Sequence, residues 1–249
     1  MSFASKVVIV TGASDGIGAA TAIKFTKEGA DVTLVGRTED KLAKVAAECA
    51  KHGKNPLVIK ADVSKDEEAK TIVARTIQTF GKLDVLVNNA GIFFLDDIMK
   101  PNFMETFDST MNTNMRAVAL ITHLAAPHLV ETKGNVVNVS SIGATMVKYP
   151  NFVSYKTSKA ALNHFTRSLA LELAPHGVRA NLVSPGPVYT DIFNKAGLAD
   201  FVSDLKTETA LKRVGEPDEI ADVILFLASE KARSVTGSDY LSDNGSLLM

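Results

Sequence analysis

Short apolar runs alternate with longer segments of helical spacing along the whole chain. The apolar runs predict short strands over Val7–Thr11, Val32–Val35, Leu57–Ile59, Val85–Val87, Val136–Val139, Val178–Val183 and near Tyr240. The segments between them predict helices over Ile17–Lys27, Glu39–His52, Ser64–Phe80, Phe107–Leu129, Phe152–Ala174 and from about Pro217. Because strands that are apolar throughout are buried on both faces, the pattern indicates a parallel sheet covered by helices.

This alternation predicts an α/β fold, a Rossmann-like doubly wound parallel sheet in three layers. The pattern is continuous, so residues 1–249 are expected to form a single domain. Ser64 and Glu67 have the spacing of a capping box at the start of the third helix. Doubly wound sheets bind ligands beyond the carboxyl ends of their strands. The residues that follow each strand are therefore the first candidates for chemistry.

A glycine-rich loop follows the first strand and has the spacing GxxxGxG. Glycines there allow a tight turn and bring backbone N–H groups and a helix N-terminus against a pyrophosphate. Such a loop alone can also be an ordinary tight turn, but the features described below support a dinucleotide site. The candidate cofactor-binding residues in this loop are Gly12, Ser14, Asp15, Gly16, Ile17 and Gly18.

The end of the second strand bears on the choice of dinucleotide. Enzymes that prefer NAD carry a carboxylate there to bind the ribose hydroxyls. Here the chain has Gly36, followed by Arg37 and Thr38. A guanidinium can pair with a 2′-phosphate through two parallel hydrogen bonds, which favours NADP(H) over NAD. The Asp15 carboxylate, in the glycine loop, argues in the opposite direction.

Three more strand ends carry residues suited to the same cofactor. Asp62 can accept a hydrogen bond from an adenine amino group. The small residues after the fourth strand let the chain approach a ribose, and the loop after the sixth strand can hold a carboxamide. The remaining candidates at these positions are Asn88, Ala90, Gly91, Pro185, Gly186, Val188 and Thr190.

A tyrosine and a lysine four residues apart carry the candidate chemistry. The spacing places Tyr155 and Lys159 on one face of a helix, one turn apart. A free tyrosine has a pKa of about 10, and a nearby ammonium together with an oxidised nicotinamide would lower it. Ser141, at the end of the fifth strand, can donate a hydrogen bond to a substrate oxygen, and Asn114 could hold a water that links Lys159 to solvent. Tyr155 and Lys159 are also expected to contact the cofactor.

Composition and charge remove several other classes of function. The net charge is −1 and the basic residues are dispersed, which disfavours nucleic acid as a partner. Cys49 is the only cysteine and the histidines lack metal-ligand spacing, so we predict no metal site. No apolar run is long enough to span a membrane, and the N-terminus shows no signal region, so a cytoplasmic location is expected.

Taken jointly, the motifs resemble those of the classical short-chain dehydrogenase/reductase family along essentially the whole chain. They include TGASDGIG, Asp62-Val63, NNAG, Ser140-Ser141, YKTSK and SPGPVYT. The resemblance implies a tetrad of Asn114, Ser141, Tyr155 and Lys159, adds Val63 to the cofactor-binding residues, and implies a homodimer or homotetramer. The chain also resembles insect members such as farnesol dehydrogenases and ecdysteroid-type ketone reductases.

Apolar residues after several strands fit either a pocket for a lipophilic substrate or the packing of a lid onto the sheet. The segment from 187 to 212 is expected to form a lid over the cofactor, and further apolar residues follow other strand ends. An isoprenoid such as farnesol, a steroid or a similar carbonyl would suit such a pocket. A 3-oxoacyl thioester reductase and a non-catalytic NADP-binding regulator are the alternatives. The apolar residues concerned are Ile92, Phe93, Phe94, Met146, Tyr149, Phe193, Leu198, Phe201, Val202, Leu205 and Leu211.

Overall fold

The computed structural model of the chain describes residues 2–190 and 205–249. Its strands are β1 Val7–Thr11, β2 Asp31–Gly36, β3 Leu57–Lys60, β4 Val85–Asn88, β5 Asn135–Val139, β6 Arg179–Pro185 and β7 Asp239–Ser242. Within these residues the α-helices are α1 Gly16–Lys27, α2 Glu39–Ala50, α3 Asp66–Phe80, α4 Phe103–Met111, α5 Ala117–Thr132, α6 Val153–Leu173 and α7 Pro217–Ala228.

The seven strands form one parallel sheet in the order β3-β2-β1-β4-β5-β6-β7. Helices α1, α2 and α7 contribute to the apolar core on one face, and α3, α5 and α6 contribute to the core on the other. The predicted Rossmann-like doubly wound parallel sheet in three layers is therefore confirmed. The strand order reverses between β1 and β4, and in such folds this is where a cofactor cleft forms.

The predicted capping box at Ser64 is wrong. Helix α3 begins after Lys65, which makes no side-chain cap bond. The Ser64 hydroxyl instead donates to Asp62 Oδ1 at 2.7 Å. The hydroxyl that a capping box would use is therefore engaged by Asp62. A capping box does occur at the start of α7, where the Glu216 N–H donates to Glu219 Oε2 at 2.8 Å.

The predicted helix over Phe107–Leu129 starts earlier and is interrupted. Helix α4 begins at Phe103, and a π-helical turn over Asn112–Arg116 joins it to α5. A π-helical turn contains one more residue per hydrogen-bonded ring than an α-helix, and such turns often lie at functional sites. This turn carries Asn114, a member of the predicted tetrad.

Asp84 joins the starts of β1 and β4 and is almost fully buried. Its carboxylate accepts a hydrogen bond from the Val7 N–H at 2.9 Å and pairs with Lys6 at 3.0 Å and Lys82 at 2.9 Å. Burial raises the pKa of Asp84, but the hydrogen bonds from Val7, Lys82 and Lys6 outweigh it, so the pKa lies below its usual value. The ionised form of Asp84 therefore stabilises the folded state.

We expect Asp84→Asn to lower the free energy of unfolding at pH 7 by about 1–3 kcal/mol, because Lys6 and Lys82 lose their ionised partner and an NH2 group replaces one of the two acceptor oxygens. The contribution of a carboxylate with a depressed pKa is present above its unfolded pKa of about 4 and is lost as pH falls through the folded pKa. Denaturant unfolding should show the gap to wild type narrowing between about pH 5 and pH 3. Exposed Asp40→Asn is the control, and an equal gap at both pH values would contradict the account.

Candidate active site

A cavity of about 590 Å³ lies over the carboxyl ends of the strands. Residues that follow each of the six strands β1 to β6 line it. The predicted cofactor-binding residues on its wall are Gly12, Ser14, Asp15, Gly16, Ile17, Arg37, Asp62, Val63, Ala90, Gly91, Tyr155, Lys159, Pro185, Gly186, Val188 and Thr190. The topology thus brings together residues that are distant in the sequence.

The glycine loop is shaped by close contacts that leave no room for side chains. Gly12 and Gly16 have φ angles of +67° and +49°, a region that favours glycine. A Cβ on Gly12 would lie 2.8 Å from Asn89 Nδ2, and one on Gly16 would lie 2.8 Å from Thr190 Cγ2. The loop after β6 therefore packs directly against the glycine loop. The N-terminus of α1 borders the cavity, as a pyrophosphate site requires.

Asp15 caps α1 and is paired with a lysine. Its Oδ1 accepts a hydrogen bond from the Gly16 N–H at 2.7 Å, and its Oδ2 lies 2.5 Å from Lys41 Nζ. In the sequence, the Asp15 carboxylate argues against a phosphorylated ribose. Because Lys41 offsets its charge, that objection is weaker than the sequence indicates. Lys41 is 26 residues away in the chain, and only the tertiary structure reveals the pair.

Three predicted cofactor-binding residues lie outside the lining of the cavity. Gly18 lets α1 pack on β1, since a Cβ there would lie 2.3 Å from Gly12 O. Thr38 is an exposed residue that precedes α2. Asn88 is buried, and its Nδ2 donates to Asn138 at 2.8 Å and Thr122 at 3.1 Å. Asn89, which donates to Thr11 O at 2.9 Å, lines the cavity at this point, and a cofactor contact by Gly18, Thr38 or Asn88 stays a prediction.

Arg37 and Asp62 lie at the end of the cavity formed by β2 and β3. Asp62 Oδ1 accepts hydrogen bonds from the Ser64 hydroxyl and, at 3.0 Å, from the Ser64 N–H. Burial raises the pKa of Asp62, but these hydrogen bonds and the charge of Arg37 lower it more. Asp62 is therefore an ionised acceptor, and Arg37 is an exposed guanidinium beside it.

Tyr155 and Lys159 line the opposite part of the cavity from helix α6. Lys159 Nζ donates to Val139 O at 2.8 Å and lies 5.8 Å from the centroid of the Tyr155 ring. The Phe93 ring meets the Tyr155 ring edge-on, with the centroids 4.8 Å apart. The tyrosine is thus held between an ammonium and an aromatic wall.

Burial sets the protonation of both groups. It raises the pKa of Tyr155, and a hydrogen bond with Ser141 lowers that pKa by less. Burial also lowers the pKa of Lys159 to about 8. The predicted lowering of the tyrosine pKa invokes Lys159 together with a bound oxidised nicotinamide. Lys159 alone does not produce this lowering, because it donates to Val139 O and the desolvation of the phenol dominates.

Ser141 follows β5 and caps a short 3₁₀ helix over Ile142–Ala144. Its Oγ accepts a hydrogen bond from the Gly143 N–H at 3.0 Å. This bond fixes the oxygen and leaves the hydroxyl proton as a donor. Ser141 is therefore oriented beside Tyr155 on the same cavity wall.

Asn114 supports the site without lining the cavity. Its Oδ1 accepts from the Ile92 N–H at 2.8 Å, and its Nδ2 donates to Ile92 O at 2.9 Å and Ser158 Oγ at 3.1 Å. The π-helical turn is thereby tied to the loop after β4 and to α6. The predicted role in holding a water for Lys159 stays a prediction.

Apolar side chains form the wall beside Tyr155. Phe93 stacks on Phe152 with the ring centroids 5.0 Å apart. All five residues predicted for this wall after β4 and β5 do line the cavity, and Leu205 does as well. Leu211 is exposed and is absent from the lining. The other lid residues, Phe193, Leu198, Phe201 and Val202, lie outside the described residues.

Charged groups at this end of the cavity are paired with neighbours. Glu208 lies 2.9 Å from Lys148 Nζ and accepts a hydrogen bond from the Tyr149 hydroxyl. Burial and Glu208 together raise the pKa of Tyr149 to about 12. Lys156 donates to the Tyr149 carbonyl. These contacts occupy the polar groups and leave the surface next to Tyr155 mainly aromatic and aliphatic.

Comparisons with known proteins agree with this site. A family model described as enoyl-(acyl carrier protein) reductase matches residues 12–246. The chain belongs to the short-chain dehydrogenase/reductase family. It is 39% identical to a glucose 1-dehydrogenase of Gluconobacter oxydans over 249 residues, which cover 98% of this chain and 92% of the relative.

Solved structures of short-chain dehydrogenase/reductases have the same fold. A Caenorhabditis elegans member of unknown function, crystallised with cofactor, is 38% identical with a TM-score of 0.94, covering 100% of this chain and 97% of the other. A Burkholderia cenocepacia short-chain dehydrogenase in complex with NADP is 33% identical with a TM-score of 0.92, covering 99% and 100%. The protein is therefore an oxidoreductase of this family, whose members bind a nicotinamide cofactor.

Side-chain grouping and helix composition bear on metal ions and on membranes. Among residues 2–190 and 205–249, no three His, Cys, Asp or Glu side chains are grouped so that they could hold a metal ion. No helix within those ranges combines the length and the apolar character needed to cross a membrane.

Proposed function

We propose that the protein is an NADP(H)-dependent oxidoreductase that interconverts a lipophilic alcohol and its carbonyl. The observation that carries the proposal is the shared cavity. Ser141, Tyr155 and Lys159 line the same space as the glycine loop and Arg37. A dinucleotide that extends from Arg37 along the glycine loop would bring its nicotinamide toward Tyr155.

The residues on the wall supply acid/base chemistry for carbonyl reduction. When bound, NADPH supplies the hydride that adds to the carbonyl carbon. The Ser141 hydroxyl donates a hydrogen bond to the carbonyl oxygen, and Tyr155 transfers its proton to that oxygen. The raised pKa keeps Tyr155 protonated at neutral pH, so it is ready to act as the acid. The Lys159 ammonium stabilises the phenolate that remains.

The end of β2 supports NADP(H) over NAD. Gly36 ends the strand where NAD enzymes carry a carboxylate, and the exposed Arg37 guanidinium follows it on the cavity wall. Lys41 offsets the charge of Asp15 nearby. The NADP complex of the Burkholderia cenocepacia relative agrees with this preference.

The aromatic wall supports a lipophilic substrate such as an isoprenoid alcohol or a steroid. Phe93, Phe152 and Met146 present apolar surface beside Tyr155, and Glu208 is engaged by Lys148 and Tyr149. Burial of apolar substrate surface stabilises the complex by roughly 25 cal/mol per Å².

Two other substrate classes have a specific observation in their favour. The similarity to a glucose 1-dehydrogenase favours a sugar, whose hydroxyls could replace the internal partners of Glu208 and Lys148. The description of the matching family model favours an acyl thioester. A non-catalytic NADP-binding regulator is less consistent with the chain, because all four tetrad residues are present.

A substrate screen tests the proposal. For reduction, purified protein is incubated with NADPH or NADH and with farnesal, a steroid ketone or, as the thioester probe, acetoacetyl-CoA. For oxidation, it is incubated with NADP⁺ or NAD⁺ and with farnesol or glucose. We expect turnover with NADPH and an isoprenoid or steroid carbonyl to exceed the other rates. Turnover confined to glucose or to the thioester would refute the assignment of a lipophilic substrate. No turnover with any combination of cofactor and substrate would refute the proposed enzymatic activity.

The pKa of Lys159 predicts a basic limit for the reductive reaction. Because Lys159 loses its proton near pH 8, kcat/KM should be level below about pH 7.5 and fall above about pH 8. Initial rates of NADPH oxidation between pH 6 and pH 10 measure the profile. The control is Lys156→Met, which removes the neighbouring lysine. In this variant kcat/KM should still fall above about pH 8. A profile level up to pH 10 would contradict the role of Lys159.

The same family resemblance and composition support two further proposals. The exposed apolar residues Val153 and Leu171 on α6 are consistent with a homodimer or homotetramer. Cys49 is buried and unpaired, which is consistent with a reducing compartment such as the cytoplasm. Light scattering and fractionation test these two points.

A further inference from the structure

Asp96 caps the helix that carries Tyr155, although it lies 57 residues before that helix begins. Its Oδ1 accepts from the Val153 N–H at 2.8 Å and its Oδ2 accepts from the Ser154 N–H at 2.7 Å. Helix N-termini leave such N–H groups without partners inside the helix. Phe152, which precedes α6, has no polar side chain and makes no cap bond. The carboxylate from the β4 loop therefore replaces a local cap.

A third hydrogen bond joins the same two segments. The Asp96 N–H donates to the Asn151 carbonyl at 2.9 Å. Asn151 has a φ of +66°, a conformation that asparagine tolerates better than most residues. Asp96 as a whole residue is 6% exposed, so water competes little for these bonds. Asp96 thus fixes the loop after β4 to the turn that starts α6.

The two segments that Asp96 joins meet again at the catalytic tyrosine. Phe93, three residues before Asp96, contacts the Tyr155 ring edge-on and stacks on Phe152. Tyr155 follows the capped Ser154 directly. Movement of the first turn of α6 relative to this loop would shift the hydroxyl against both the cofactor and the substrate wall.

We propose that Asp96 is a positioning residue for Tyr155, acting through the first turn of α6 and through the loop that carries Phe93. This inference rests on the proposed function, because it assigns Asp96 a part in placing the acid. Asp96 itself does not line the cavity. A carboxylate at a helix N-terminus also interacts favourably with the helix dipole, which strengthens the link.

Asp96→Ala tests the proposal, because it leaves the Val153 and Ser154 N–H groups without their acceptor. A displacement of about 1 Å in a catalytic group can cost about 100-fold in rate, so we expect kcat per NADPH-binding site to fall by about 10-fold to 100-fold. Substrate KM should rise, and the Kd for NADPH should stay within about twofold, since Arg37 and the glycine loop lie on other elements. Asp96→Asn keeps one acceptor oxygen and should recover part of the loss.

Asp97→Ala is the matched control. The neighbouring Asp97 side chain accepts a hydrogen bond from the Met99 N–H of its own loop at 2.9 Å and, among residues 2–190 and 205–249, makes no bond to α6. This variant should keep wild-type kcat and KM. If Asp96→Ala only reduced the amount of folded protein, the number of NADPH-binding sites and the total rate would fall by the same factor. The deuterium isotope effect on kcat/KM would then stay unchanged. Positioning predicts that the isotope effect increases, because hydride and proton transfer become more rate-limiting.

Amide hydrogen exchange of residues 151–158 gives a readout that needs no turnover. Faster exchange in Asp96→Ala than in Asp97→Ala, together with the kinetic changes, supports the proposal. Exchange rates in Asp96→Ala equal to those of the wild type would show that Asp96 does not stabilise the start of α6. Faster exchange with wild-type kcat and KM would show that the cap does not position Tyr155. A wild-type protein that turns over no carbonyl refutes the proposed function instead, and exchange then still decides whether Asp96 holds the start of α6.

Discussion

Tyr155→Phe is expected to lower kcat by at least ~100-fold while the Kd for NADPH stays within about twofold. The variant removes the hydroxyl proposed to transfer a proton to the substrate oxygen, but it keeps the ring that packs against Phe93. Steady-state NADPH oxidation and a fluorescence titration of NADPH measure the two quantities.

Tyr149→Phe provides the matched control for this prediction. Tyr149 is a second tyrosine on the cavity wall, and its hydroxyl donates to Glu208. Its loss should change KM more than kcat, because it alters the wall and leaves the proton donor in place. If Tyr155→Phe retained wild-type turnover, Tyr155 would not be the acid.

Arg37→Ala is expected to weaken NADPH binding by about 10-fold to 100-fold and to change NADH binding by less than about threefold. Hydrogen bonds to charged groups contribute about 1.5–3 kcal/mol, and only NADPH has a 2′-phosphate for Arg37 to bind. Titrations of both cofactors, with the wild type and the variant, measure the ratio.

Arg75→Ala controls for the loss of a positive charge. Arg75 is an exposed arginine on α3 that does not line the cavity. This variant should leave both affinities unchanged. Equal losses of NADPH and NADH affinity in Arg37→Ala would remove the argument for NADP(H), although the family assignment would stand.

Much of the fold could be predicted because its signals are local. Short apolar strands that alternate with amphipathic helices leave few arrangements other than a doubly wound parallel sheet. The motif residues Tyr155 and Lys159 could be predicted for the same reason, since four-residue spacing fixes their shared helix face. The glycine loop was recognisable because its backbone turn needs glycine at Gly12 and Gly16.

The corrections concern positions where tertiary contacts decide between neighbours. In the sequence, Asn88 and Asn89 are equally plausible residues for the cavity wall. In the structure Asn88 is the last residue of β4, and its side chain donates to Asn138 on the neighbouring strand. The alternation of side chains along a strand offers a signal, since Asn88 shares a face with Leu86. Ser64 matched a capping box, yet Asp62 took its hydroxyl.

The partners that sequence reasoning missed lie far away in the chain. Lys41 pairs with Asp15 of the glycine loop, and Asp96 accepts a hydrogen bond from the start of α6. No periodicity or motif links such pairs, because their distance in sequence is unrelated to their distance in space. The burial of Tyr155, which raises its pKa in the protein alone, is not readable from the sequence either, since burial depends on the packing of the whole cavity.

Deuterium transfer from the cofactor tests the central claim most directly. The protein is incubated with NADPH deuterated at both C4 positions and with the carbonyl that gives the highest rate in the screen, and the alcohol is examined by mass spectrometry. Hydride transfer in this cavity predicts that each product molecule gains one deuterium at the former carbonyl carbon, and that Tyr155→Phe forms this product at least ~100-fold more slowly. An alcohol that forms without deuterium at that carbon, or at the same rate in the variant, would contradict the account.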